Sequence, residues 1–214
     1  MKKYYFILVI VFLSVIANAQ NFADTKGELQ ISDAGQATYT LPIAMPPSIK
    51  NVAPIINLTY NSGVRGGIAG QGWNINSISS ICRIATRRDI DGFVDGVDFD
   101  SSDKLALDGQ RLILKNPAAT YWANGTVYET EYKSNTKIEL MIEPSGNGPI
   151  TYFIVTGHDG SRTWYGSTGN GVLQNAASVN AWYIIRHEDV FGNYITYNYS
   201  TVVYNNTNQL YISD

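Results

Sequence analysis

The 214 residues contain one cysteine and two histidines, and that scarcity removes whole classes of chemistry. Cys82 alone cannot close an internal disulfide, and metal sites built from paired cysteines are excluded with it. Its setting, Ser80-Ile81-Cys82-Arg83-Ile84, reads as that of a small buried apolar residue. The histidines each stand beside an acid, as His158-Asp159 and His187-Glu188. Neighbours on a strand point to opposite faces, so neither pair joins a base to its orienting acid. No His-Glu-x-x-His zinc motif and no nucleophile elbow occurs. Basic residues are short as well, 15 Lys and Arg against 18 Asp and Glu, which argues against a nucleic-acid partner. Apolar runs long enough for a membrane helix are missing, and helical periodicity is missing after Gln20.

What is present begins with an export signal. Lys2 and Lys3 precede an apolar run from Tyr4 to Ile16, and Ala17-Asn18-Ala19 closes it with the small-x-small pattern that signal peptidase cuts. The pattern predicts a signal helix over residues 1–19, cleavage between Ala19 and Gln20, and a mature β-domain over 20–214. The run is shorter than the roughly 20 residues that span a bilayer, so no membrane span is expected after cleavage. Losing two lysines takes the net charge from -3 to about -5.

Period-two alternation recurs about every ten residues, with Gly, Asn, Asp and Pro between, which predicts an all-β, antiparallel, hairpin-rich meander. Hairpins are expected at Asn124-Gly125, joining Tyr121-Trp122-Ala123 to Thr126-Val127-Tyr128, and at Asp108-Gly109, with Leu105 and Leu107 before it and Leu112 and Leu114 after it. Two more turn at Gly157-His158-Asp159-Gly160 and at Phe191-Gly192-Asn193. Pro42, Pro46 and Pro47 fit only an edge strand or an extended connection. Gln209–Asp214 reads as a last strand with no partner after it, as if the chain were the first piece of a longer polypeptide.

Candidate chemical sites are few. Gly66-Gly67-Ile68-Ala69-Gly70-Gln71-Gly72 lacks both the dinucleotide order and the P-loop order, and no helix follows, so turn glycines are the reading. Asp89, Asp91 and Asp95, continued by Asp98 and Asp100, could offer hard oxygen ligands to calcium, but Phe93 and Val94 fall where an EF-hand loop needs a ligand and Gly. Glu129-Thr130-Glu131 puts two carboxylates on one strand face. Arginine-directed ADP-ribosyltransferases use such a pair together with an upstream Ser-Thr-Ser strand, which is absent here. No catalytic residue and no cofactor site is therefore expected. Abundant tyrosines, with export, leave a glycan-binding adhesin as the alternative reading, although tyrosine is also a good strand former.

The ordered segments Gly35-Gln36-Ala37-Thr38-Tyr39, Leu41-Pro42-Ile43, Pro54-Ile55-Ile56-Asn57-Leu58-Thr59-Tyr60, Gly70-Gln71-Gly72-Trp73, Asp103 to Leu112 and Trp182-Tyr183 to Tyr197 resemble the SpvB-type amino-terminal domain. That domain opens plasmid virulence B proteins, Tc toxin B components and many secreted Rhs/YD-repeat proteins. The resemblance implies a non-enzymatic structural role: a segment of an Rhs-like β-shell, partnered by the downstream shell or by other toxin-complex components.

Overall fold

The computed structural model describes residues 26–31, 35–48, 52–66, 69–76, 78–146, 148–167, 171–175, 178–204 and 207–213. The expected signal helix and the Ala19–Gln20 cleavage pair lie outside the described residues. The chain forms two compact units, Met1–Pro42 with Leu58–Asn74, and Ile43–Asn57 with Ile75–Asp214.

The first unit is built on a four-stranded sheet in the order β1 (Glu28–Ile31), β2 (Ala37–Pro42), β3 (Asn57–Asn61), β4 (Trp73–Asn76). β1 and β2 are antiparallel with Leu29 opposite Tyr39 and Ile31 opposite Ala37, so apolar residues two apart share a face. The Trp73 ring sits 5.2 Å from Tyr60 and 6.4 Å from Tyr39 on centroids. β2 lies inside the sheet, yet proline costs it nothing in pairing: Pro42 is its final residue, and Pro46 and Pro47 fall in the extended connection beyond. Gly72, at φ 77°, makes the turn into β4 where a Cβ would stand 2.7 Å from the Tyr60 ring. Gly72→Ala should therefore destabilise this unit by about 2–4 kcal/mol, from left-handed strain plus the clash. The measurement is hydrogen exchange at the β3 and β4 amides, and unchanged protection there would contradict it.

The second unit carries a ten-stranded sheet. Its meander runs through β5 (Ser80–Ile84), β6 (Lys104–Leu107), β7 (Gln110–Leu114), β8 (Val127–Thr130), β9 (Lys137–Glu143), β10 (Ile150–Thr156) and β11 (Arg162–Tyr165). The long strand β13 (Ser178–Glu188) then closes it. Ala181–Tyr183 pairs with β5, while Ile184–Glu188 pairs with β11, so the two ends of the meander meet on one strand. β12 (Val172–Asn175) and β14 (Tyr194–Thr196) attach to β13 outside that ring. Alternate residues fill the interior: Ile81, Leu105, Leu112, Tyr128, Ile138, Leu140, Phe153, Val155, Tyr165, Trp182 and Ile184 form one buried cluster. A closed sheet of this size is packed by its own inward side chains and has no exposed ladder edge around the ring.

Three of the four expected hairpins form. Asp108 and Gly109 have φ 48° and 82°, the paired positive values that a two-residue type I′ turn requires. β10 and β11 join through 157–161, and β13 and β14 pair with His187 opposite Ile195. The hairpin at Asn124-Gly125 does not form: residues 115–126 are a folded connection and β8 starts at Val127. Gly125 has φ 79°, but Asn124 is not left-handed. Tertiary partners claim these residues. The Asn124 side-chain oxygen accepts from Ile142 N at 2.8 Å, and Gly125 N donates to Leu140 O at 2.8 Å. The Tyr121 hydroxyl accepts from Leu105 N and donates to Leu112 O, both at 2.9 Å, stitching β6 to β7 from below.

The last strand also differs from expectation. β16 (Thr207–Ser213) is not left unpaired; it forms an antiparallel two-stranded sheet with β15 (Asn198–Tyr204). The tyrosine-rich stretch from Tyr194 divides between two strands, β14 and β15. Between them Tyr197 N donates to Ile185 O, and Tyr199, early in β15, packs its ring against Tyr183.

Burial has a titration consequence. The hydrogen bond to Glu143, with burial, pushes Tyr152 up to about 12, and burial raises Tyr121, Tyr128, Tyr165 and Tyr199 further. A folded-state pKa above the ordinary value favours the protonated form in the fold. The contribution is thus whole below about pH 10 and lost as pH rises through the raised values. These tyrosines should ionise only as the chain unfolds, seen as a separate cooperative rise at 295 nm, after that of exposed tyrosines such as Tyr132 and Tyr194, coincident with loss of circular dichroism. Ionisation of all the tyrosines with unaltered circular dichroism would refute it.

Candidate functional site

The densest polar construction stands at one end of the closed sheet. Arg83 follows Ile81 by two residues on β5 and so turns inward with it. Its guanidinium lies 4.4 Å above the Trp122 ring and within 6.0 Å of Trp182 and Phe99. Nε donates to Val179 O at 2.9 Å, and Nη1 donates to Asp103 Oδ2 at 2.8 Å and to Asp100 O at 3.0 Å. Asp103 is fully buried and also accepts from Asp98 N and Phe99 N, while its carbonyl takes the Trp122 indole N–H at 3.1 Å. A buried carboxylate is tolerated because both of its oxygens have donors and the charge has a partner. Phe99 is held at φ 69°, a strained value for a bulky residue. Beside this network is a cavity of about 430 Å³ whose walls include Arg83, Phe99, Trp122, Gln174, Ser178 and Trp182.

A second ion pair fixes the other end of the same loop. The one-turn helix α1 (Arg88–Asp91) places Asp91 against Arg111, whose Nη1 also donates to Ala85 O at 3.1 Å. Both side chains are buried. Arg87 binds Asp89 at 2.5 Å and Glu131 at 3.2 Å, and Thr86 exchanges hydrogen bonds with Asp95.

The acidic run is therefore dispersed among partners. Asp89 lies against Arg87, Asp91 against Arg111, and Asp95 comes within 3.5 Å of Ser102 Oγ. Among the described residues, Asp98, Asp100 and Asp103 are the carboxylates that converge, within 4.8 Å of one another, and Asp103 already holds Arg83. Burial, then repulsion from Asp100 and Asp95, pushes the Asp98 carboxyl up, whereas hydrogen bonds from Ser102 lower that of Asp100. The hydrogen bond from Arg87 lowers Asp89.

The remaining candidates stay apart. Glu129 faces Lys115 at 3.6 Å and Glu131 faces Arg87, so each carboxylate has its own cation. His187 Nδ1 meets Thr163 Oγ1 at 2.9 Å, while Glu188 binds Arg162 and Arg186. Asp159, beside the exposed His158, is occupied by Ser161. Cys82 is half-buried, and burial followed by Asp108 raises its thiol. Part of the glycine-rich stretch, Gly67 and Ile68, lies outside the described residues. Arg83, Asp103, Arg111 and Trp122 escaped the reading of the sequence. The available signal for Arg83 was a charge two residues from a core isoleucine on a strand.

A family model described as "Salmonella virulence plasmid 65kDa B protein" (SpvB) matches residues 31–211. The chain belongs to the SpvB family. The fold recurs in solved structures. In a crystal structure of TcdB2-TccC3 the similarity has TM-score 0.67 at 19% identity, covering 88% of this chain and 10% of that one. A Photorhabdus luminescens Tc holotoxin pore gives 0.63 at 18%, covering 83% and 9%. The amino-terminal domain of the effector SpvB from Salmonella typhimurium strain LT2 gives 0.61 at 21%, covering 81% and 62%. No curated protein sequence matches the chain. This SpvB-family chain thus has the length of about a tenth of the Tc chains that share its fold.

Proposed function

We propose that this chain is a non-catalytic β-segment of a secreted, toxin-type shell, and that it acts by strand pairing and packing against further shell polypeptide. The observation that carries the reading is the first unit's sheet. Among its described residues no large apolar side chain is buried, and Leu29 and Ile31 are 68% and 67% exposed on one face of β1. An amphipathic sheet must cover its apolar face to be stable, so this one is made to be built upon. Membership in the SpvB family and the recurrence of the fold within toxin-complex chains support the same conclusion. Glu129, Glu131, His187 and Glu188, the candidates for acid–base chemistry, each meet a structural partner, which supports a non-enzymatic role. The partners are further shell polypeptide or other toxin-complex components, and export proceeds through the leader.

The test uses the native protein recovered from culture medium. Its first residue should be Gln20, and it should migrate in a particle far larger than one chain, whose mass with the leader is 23.6 kDa. A single processed chain migrating as a monomer, or label transfer from NAD to acceptor protein, would overturn the proposal.

A further inference from the structure

The loop between β5 and β6 combines features that solvent-exposed connections do not need. It is clamped at both ends by buried ion pairs, Arg111–Asp91 and Arg83–Asp103, yet it exposes Ile90, Phe93, Val94, Val97 and Phe99. Val94 is 67% exposed and Phe93 44%. Ile90 continues into a groove of about 400 Å³ whose walls include Ile113, Leu114 and Pro117. Apolar side chains on a mobile loop would collapse onto the sheet or be replaced by polar ones. Held outward on a rigid support, they form a preorganised contact surface, which lowers the entropy cost of association.

Charge selects the occupant. The carboxylates of Asp95, Asp98 and Asp100 form no ion pair with Lys or Arg among the described residues, Arg83 reaching only the Asp100 backbone carbonyl, and repulsion from Asp100 and Asp95 contributes to the raised carboxyl of Asp98. A cation docking there relieves that repulsion, whereas an acidic surface or an anionic membrane adds to it.

We propose that this loop is a docking surface for a protein segment with an apolar centre and a Lys/Arg rim. The proposal rests on the shell reading for the partner's setting and adds its chemistry and the place where it binds. Phe93 and Val94 supply the apolar anchor, and Asp95, Asp98 and Asp100 supply the steering charges.

The probe is a fluorescein-labelled peptide alternating lysine with valine and tryptophan, titrated against the full chain by anisotropy. Its glutamate counterpart and a lysine–glycine peptide serve as controls. The lysine–valine–tryptophan peptide should bind at least about tenfold more tightly than either control, and should weaken as salt is raised. Val94→Asp or Phe93→Ser should weaken it about tenfold, while Phe191→Ser, on the exposed β13–β14 turn, should leave it unchanged. The variants alter exposed side chains, and an unshifted melting midpoint confirms that each is folded. Equal binding of the glutamate peptide, or insensitivity to both loop variants, would sink the proposal. So would loop-dependent binding to phosphatidylcholine vesicles in place of the peptide, or loop-dependent self-association. If the native particle keeps its large mass while the peptide fails, the shell reading stands and this one falls; the reverse pattern separates them the other way.

Discussion

Asp103→Ala should cost about 3–5 kcal/mol of folding stability, because it leaves the Arg83 guanidinium inside the end of the closed sheet without its counter-charge. The carboxylate does more than pair. It accepts from Asp98 N and Phe99 N, so its loss also orphans two backbone donors and frees the strained turn at Phe99. Urea denaturation would show the loss as a lower midpoint. The double variant Arg83→Met with Asp103→Leu should recover much of it, since replacing a buried pair by apolar groups removes the desolvation cost of both ions. A single-variant loss below about 1 kcal/mol would mean that water reaches the pair and that the loop is not anchored there.

Trp182→Ala should cost a similar amount, about 3–5 kcal/mol, for a different reason. Trp182 is 2% exposed on the strand that closes the ring, its ring packs edge-on to Phe153 at 5.1 Å, and its indole N–H donates to Thr151 O at 2.8 Å. Truncation opens a cavity where β5, β10 and β13 converge and leaves a carbonyl acceptor unmet. Phe191→Ala, with its ring 74% exposed in the β13–β14 turn, is the matched control and should change stability by less than about 0.5 kcal/mol. Equal effects from the two substitutions would refute closure of the sheet through β13.

Local signals were legible wherever backbone geometry alone decides the outcome. Asp108-Gly109 specifies its turn because both residues accept positive φ, and the flanking leucines at alternate positions mark the inward face. Asn124-Gly125 carries an equally strong local signal and misleads, because Ile142 N and Leu140 O, on a strand farther along the chain, bind those two residues in another geometry. The acidic run was visible as residues, but its fate was not. Arg87, Arg111 and Arg83 reach it from a loop and from two separate strands, and nothing in the spacing of aspartates says which cation each will meet. The paired end of the chain was missed for a related reason. Whether the tyrosines after Thr196 continue one strand or begin another depends on the outer face of β13, where Tyr199 packs.

Local pattern alone was enough for an all-β chain of hairpins, and a single cysteine was enough to exclude an internal disulfide framework. It also carried the ordered segments that the SpvB family model matches. Those properties rest on period-two alternation, turn residues and the absence of particular side chains, all of which act within a few residues. Only the tertiary structure decided that the meander closes, since Ala181 meets Cys82 and Arg162 meets Glu188 across long separations that no local pattern encodes. It likewise decided that the single cysteine is half-buried between β6 and β13, while Arg83 with Asp103 and Arg111 with Asp91 are buried in pairs. A buried charge persists only where a partner from elsewhere in the chain arrives to meet it, and that arrival is a property of the fold.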